Sequence, residues 1–246
     1  MARTTISSTG RDRRSAKCIA AQRQRRHRLF TRVITTLVCA CLVGAGSWWF
    51  AAGRDDSPTG SAYDGIPVNG TILGNPDAEH TLVEFGDSQC IHCAEFALEA
   101  QPQFIQDFVA TGKLTYEFRP MPVLGGDVSD PANRSVRAAE AALCALDQGK
   151  YWEFHDRVFE PTLNHQQDQL TDEKLIQIAG DLGMDTTIFA STLSVGTHRQ
   201  KVIDSYNEGV MLGLAGVPAF FLDGQAVLWP ATGYEGFKSN LELALR

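Results

Sequence analysis

Between Val33 and Gly53 the chain runs 21 residues without a charge, VITTLVCACLVGAGSWWFAAG, and this stretch divides it into two unlike parts. About 20 apolar residues at ~1.5 Å each cross a hydrocarbon core of roughly 30 Å, so the run is long enough to span a bilayer. Trp48, Trp49 and Phe50 sit at its far end, where aromatic rings favour the membrane–water interface. Residues 1–54 carry eleven Lys/Arg and one acid, Asp12, which leaves 11 basic and 28 acidic residues for the rest. Basic residues before a span keep that side in the cytoplasm, so the arm reads as a topology signal and not as a nucleic-acid surface. The expected layout is a basic cytoplasmic segment 1–32, a transmembrane anchor 33–53, a linker 54–67 and a domain 68–246 outside the cytoplasm. A cleaved signal peptide has a shorter apolar core and a better small-residue site than Gly44-Ala45-Gly46 offers, so a retained anchor is preferred. VCAC at 38–41 is a poor lipidation box.

That topology sorts the six cysteines. Cys18 falls on the inner side and Cys39 and Cys41 in the span, leaving Cys90, Cys93 and Cys144 for the domain. Three cysteines make no disulfide framework, so the domain relies on its core.

HTLVEF (80–85) reads as a strand bounded by Asn75-Pro76 and Gly86-Asp87. From Cys90 to Val109 the period becomes helical, with Phe96, Ala100, Phe104 and Phe108 on one stripe and Pro102 predicting a kink. Gly112 ends that helix and KLTYEFRP (113–120) alternates as a second strand. Helices are expected at 131–147, 150–160, 171–182, 185–194 and 197–214, with Pro161 as one of the stops. Strands at 219–222 and 226–228 flank an Asp223-Gly224 hairpin turn, and a helix covers 234–245. The order is β-α-β, a helical block, then β-β-α, which is an α/β domain with a helical insertion at about 127–214.

Within EFGDSQCIHCAEF, Cys90 follows a strand-to-helix turn and opens a helix. Unpaired backbone N–H groups and the helix dipole there favour a thiolate, the form that attacks disulfides. Cys93 lies one turn on along the same face, close enough to close a disulfide ring. His92, protonated or as an N–H donor, would favour the Cys90 thiolate further; a solvated surface histidine is the alternative. From the residues alone, a redox pair competes with part of a metal site, although Cys90, Cys93 and His92 give at most three ligands and no second ligand pair is evident.

VEFGDSQCIHCAEF resembles the active-site segment of the DsbA-like branch of the thioredoxin superfamily, and AGVPAFFLDG (215–224) resembles that family's cis-proline segment. The similarity covers roughly 68–246. It implies a thioredoxin-like α/β fold with a helical insertion, here preceded by one transmembrane helix. It also implies a protein disulfide oxidoreductase with Cys90 as nucleophile, Cys93 as resolving thiol and His92 at the tuning position. Glu84 falls where relatives place a buried acid that relays protons for the resolving cysteine. Val217-Pro218 falls at the cis-proline, where the backbone of Val217 would pair with a substrate chain. The family has proline after the first cysteine, and this chain has Ile91.

The expectation is a membrane-tethered, monomeric dithiol oxidase with no cofactor beyond the Cys90–Cys93 disulfide. It would act on reduced secreted proteins, be re-oxidised by an integral membrane partner and bind no nucleic acid. A reductase or isomerase is the alternative, and a metal-binding module a more distant one. Cys144 is expected to be a buried, inert thiol and His155 structural; His80, His165 and His198 show no ligand spacing.

Overall fold

A computed structural model describes residues 63–246. The segment 1–32, the span 33–53 and most of the 54–67 linker lie outside the described residues. Among the described residues, no helix is long and apolar enough to cross a membrane. Packing begins earlier than residue 68: Tyr63, inside the stretch read as a tether, is buried against Trp152 with ring centroids 5.6 Å apart.

A six-stranded sheet has the order β1-β2-β4-β3-β5-β6. Its two outer strands, β1 (Val68–Asn69) and β2 (Ile72–Leu73), are two residues each and too short to show any period in the sequence. At the centre β3 (His80–Gly86) runs parallel to β4 (Leu114–Pro120), with Glu84 opposite Phe118. On its other side β3 pairs antiparallel with β5 (Ala219–Leu222), placing Phe220 opposite Glu84, and β6 (Gln225–Val227) closes the edge. Asp223 and Gly224 both adopt positive φ, 51° and 81°, as a two-residue hairpin of right-handed twist requires. Gly86, the last residue of β3, has no room for a side chain: a Cβ there would meet the Phe118 ring at 2.6 Å.

Helix α1 crosses from β3 to β4 and begins at Ile91 with Cys90 as its N-cap residue. It is α-helical over Ile91–Glu95 and Gln101–Phe104 and widens into π turns over Phe96–Ala100 and Ile105–Val109. Pro102, where a kink is expected, lies in the α-helical stretch between the π turns: the Gln101 amide donates to Phe96 O, five residues back, just before the residue that has no amide to give. Phe96, Phe104 and Phe108 are fully buried. Phe96 is the hub, with centroids 4.7 Å from Phe220, 5.2 Å from Trp229 and 5.8 Å from Phe237 of α7 (Tyr234–Ala244). It thereby joins α1, β5 and α7 in one aromatic cluster.

The insertion consists of α2 (Arg134–Leu146), α3 (Tyr151–Leu163), a 3-10 turn Gln167–Gln169, α4 (Asp172–Asp181), α5 (Thr186–Ser194) and α6 (Arg199–Met211). Asn133, Thr171 and Asp185 cap α2, α4 and α5 with side-chain oxygens. Pro161 does not stop α3: it sits in the last turn, where only the bond to the Arg157 carbonyl is lost, and the helix continues to Leu163. The buried Glu140 carboxyl accepts from Arg137 at 2.9 Å and from Arg199 at 2.9 and 3.0 Å, while Arg137 also holds Asp172. One ionic network therefore fastens α2 to α4 and α6.

Because Phe96 touches three elements, Phe96→Ala is expected to cost about 3–5 kcal/mol of stability. Ile188→Ala, at a side chain 56% exposed, should change it by less than about 0.5 kcal/mol. Urea unfolding of both variants beside the parent checks the pair.

Candidate active site

The end of β3, the loop 87–89 and the first turn of α1 bring Glu84, Asp87, Cys90 and Cys93 together. Cys90 is 9% exposed and Cys93 fully buried, so the first sulfur lies nearer the surface and the second beneath it. Both are thiols here, as is Cys144. As a thiol, Cys90 Sγ donates to the Val217 carbonyl at 3.4 Å, across a cis Val217-Pro218 peptide bond. Two separated sequence segments, 84–96 and 215–224, thus meet at one sulfur.

The two thiols differ sharply in acidity. Cys90 is lowered to about 6, chiefly by the Cys93 thiol donating to its sulfur and then by the backbone N–H groups of Cys93 and His92, against the cost of burial. Burial pushes Cys93 well above the ordinary thiol value, and the charges of Cys90 and Glu84 add to this. Its sulfur receives only a long contact from the Asp87 amide, at 3.5 Å.

Glu84 projects from the central strand into a site without water access, 1% exposed. Its Oε2 accepts from the Tyr116 hydroxyl of β4, while Oε1 has no partner among the described residues. Desolvation raises its pKa to about 8, partly offset by the Tyr116 bond and reinforced by the Cys90 charge. An acid neutral near pH 7 therefore lies within electrostatic range of both sulfurs.

The His92 side chain points outward, 66% exposed, with Nδ1 at 2.9 Å from Glu95 Oε2. That hydrogen bond raises its pKa, so the histidine carries charge more readily, but the charge sits in solvent beside a carboxylate. Residue 92 acts on Cys90 through its backbone amide, and the imidazole adds a charge interaction that ranks below its contacts with Glu95.

Asp87 is a participant that sequence reading assigned only to a turn. Buried at 2%, it accepts from the Gln89 amide through Oδ1 and from the Val123 and Leu124 amides through Oδ2, each at 2.9 Å. The insertion holds the same loop from the other side: Thr162 Oγ1 donates to Ser88 O at 2.5 Å and Gln89 Nε2 to Ser135 Oγ at 2.7 Å. The available sequence signal was an Asp two residues before a Gln after a strand, the pattern of an Asx turn.

The remaining candidates lie elsewhere. Cys144 is buried in α2, and burial lifts it to about 12. His80 pairs with Asp223 at 2.7 Å, His198 with Asp147 at 2.7 Å and His155 with Asp156 at 3.1 Å. Among the described residues, no group of three or more His, Cys, Asp or Glu is placed to hold a metal ion.

Comparison with known proteins agrees with this geometry. A family model described as Thioredoxin matches residues 68–242. The probable disulfide bond formation protein D of Bacillus anthracis is 26% identical over 154 residues, which cover 62% of this chain and 69% of that protein. The Na(+)/H(+) antiporter NhaA 3 of Salinispora tropica is 28% identical over 159 residues, 65% of this chain but only 22% of the antiporter. Among solved structures, oxidised BdbD from Bacillus subtilis shares the fold with a TM-score of 0.62 at 22% identity, covering 71% of this chain and 92% of that one.

In reduced protein, the thiolate absorbance of Cys90 should titrate with a midpoint near 6. Cys93→Ala removes the largest stabilising contact and should raise the midpoint more than His92→Ala does; the reverse order would restore the histidine side chain to the leading role. Glu84 gives a stability signature in oxidised protein, where the thiols are absent. Burial, the leading cause of its rise to about 8 in the dithiol form, is still present when the sulfurs are joined, so above the ordinary 4.5 the folded state binds more protons than the unfolded one. The contribution of Glu84 to stability then falls as pH rises from about 5 toward 8. Glu84→Gln should remove a loss on the order of 3–5 kcal/mol across that window, read by urea unfolding at both ends.

Proposed function

From a chain that belongs to the thioredoxin family and is a DsbA-like protein disulfide oxidoreductase, we propose a dithiol oxidase that donates its Cys90–Cys93 disulfide to reduced secreted proteins. The observation that carries this reading is the opposed acidity of the two sulfurs, one lowered to about 6 and the other raised, with a protonated carboxyl beside them. A low-pKa surface thiol stabilises the reduced state, and a disulfide whose reduced state is stabilised is a strong oxidant.

The cycle balances as follows. A substrate thiolate attacks Cys90 Sγ, the Cys90–Cys93 bond breaks, and Cys93 departs with the electron pair. Being buried, that thiolate takes the proton of Glu84. A second substrate thiolate attacks the substrate sulfur of the mixed disulfide, and Cys90 departs as a thiolate stabilised by Cys93 and the two backbone amides. The substrate is oxidised by two electrons and the enzyme reduced by two. In re-oxidation Cys90 attacks the disulfide of an integral membrane partner, and Cys93 returns its proton to Glu84 as it closes the ring. The Val217 carbonyl facing Cys90 supports a substrate strand lying along the loop there.

We place this chemistry outside the cytoplasm, on a monomer tethered by residues 33–53, because the uncharged run and its basic flank fit a single span with the N-terminus inside.

The full-length protein, oxidised, should introduce disulfides into a reduced, unfolded substrate protein, and Cys90→Ser should abolish the reaction. Equilibration with glutathione buffers should give a potential nearer ~−120 mV than the ~−270 mV typical of a reductant. A value at the reducing end would transfer the protein to the reductase or isomerase class.

A further inference from the structure

Behind Glu84 a line of buried polar side chains runs to the surface. The Tyr116 hydroxyl contacts Glu84 Oε2 on one side and lies 3.1 Å from Gln101 Oε1 on the other. Gln101, 1% exposed in α1, donates from Nε2 to the Tyr63 hydroxyl at 3.1 Å. Tyr63 in turn lies 2.7 Å from both carboxyl oxygens of Asp156, whose side chain is 31% exposed.

The proton count gives this line a direction. Tyr63 has one hydroxyl proton and commits it to Asp156, so its oxygen must accept from Gln101. The Gln101 amide therefore turns its NH2 to Tyr63 and its carbonyl oxygen to Tyr116. Tyr116 also has one proton, with two acceptors in reach. When Glu84 is protonated, its O–H can donate to the Tyr116 oxygen while the Tyr116 proton goes to Gln101, so Glu84 Oε2, Tyr116 and Gln101 all have partners. When Glu84 is ionised, the Tyr116 proton turns to it, and the buried Gln101 oxygen loses its donor.

We propose that Gln101, oriented by Tyr63, is a positioning residue that acts through the single proton of the Tyr116 hydroxyl to keep a proton on Glu84. An amide cannot pass a proton along without changing tautomer, so the line sets the proton affinity of Glu84 and does not conduct. The inference rests on Glu84 serving Cys93 as its acid: a carboxyl held protonated is ready for the departing thiolate. The titratable groups facing Glu84 are Cys90 and Cys93 from α1, Tyr116 from β4 and Tyr151 from α3.

The test is the titration of the Glu84 carboxyl by infrared difference spectroscopy in the oxidised full-length protein, the band being assigned with Glu84→Gln. Gln101→Met leaves the Tyr116 proton to Glu84 in both states and should lower the proton affinity of Glu84 about tenfold. Tyr116→Phe removes the one donor to the ionised form among the described residues and should raise it. Opposite signs are the signature. Shifts of the same sign, or no shift in Gln101→Met, overturn the proposal, since a loss of packing alone would move both alike. Should Gln101→Met fail to fold, Tyr63→Phe replaces it: without that hydroxyl the amide can turn a donor to Tyr116, and Glu84 should again lose affinity, an unchanged value refuting the proposal. No dithiol substrate enters the measurement, so its outcome is independent of whether the enzyme proves to be an oxidase.

Discussion

A carboxyl group kept from water on the central strand is the constraint around which this domain is arranged. Glu84 can remain buried only in its neutral form or with donors supplied by the protein, and the fold supplies one, from Tyr116 on the adjacent parallel strand. The exclusion of water comes from elements far apart in the chain. Phe220 of β5 stands opposite Glu84 in the sheet, and the Phe96 cluster packs α1 and α7 over the same face. The stability sacrificed by an unpaired Oε1 leaves an acid whose pKa lies where a thiolate can use its proton.

Three cysteines in one domain illustrate the same principle, since residue type does not set their chemistry. Cys90 meets donors and is lowered; Cys93 meets burial and the charges of Cys90 and Glu84 and is raised; Cys144 meets burial within a helix and is raised to about 12. The insertion contributes to the first of these. Thr162 and Ser135 reach back to residues 88 and 89, so the helical block fixes the loop from which Cys90 is presented. The Glu140 network in turn ties α2 to α4 and α6.

Sequence patterning revealed much of this, and its failures have physical causes. The α1 stripe, the β3 and β4 runs and the Asp223-Gly224 turn carry periods or φ requirements that few other structures satisfy. β1 and β2 escaped because two residues hold no period, and Tyr63 because one aromatic in a polar stretch gives no sign of what it packs against. Pro161 misled because its cost depends on position in the helix. At the site, local geometry placed Cys90 above Cys93, and the likeness of 215–224 to a known segment brought Val217 to the same sulfur. Asp87, Gln101 and Tyr116 were invisible as a set: their roles arise from contacts across 15 to 38 residues that no local pattern encodes.

The departure at Ile91 can now be placed. Proline after the first cysteine would fix the backbone at the first helical position. In this chain the same segment is restrained from outside. Asp87 anchors it to residues 123 and 124, Ser88 and Gln89 are held by α3 and α2, and the Ala94 amide closes the first turn on Cys90 O at 3.0 Å. Isoleucine keeps an amide that proline lacks, so the thiolate end of α1 retains one more N–H donor near its start. Pre-organisation that proline would place in the residue itself is here distributed over three neighbouring elements, so the presentation of Cys90 depends on the insertion remaining docked.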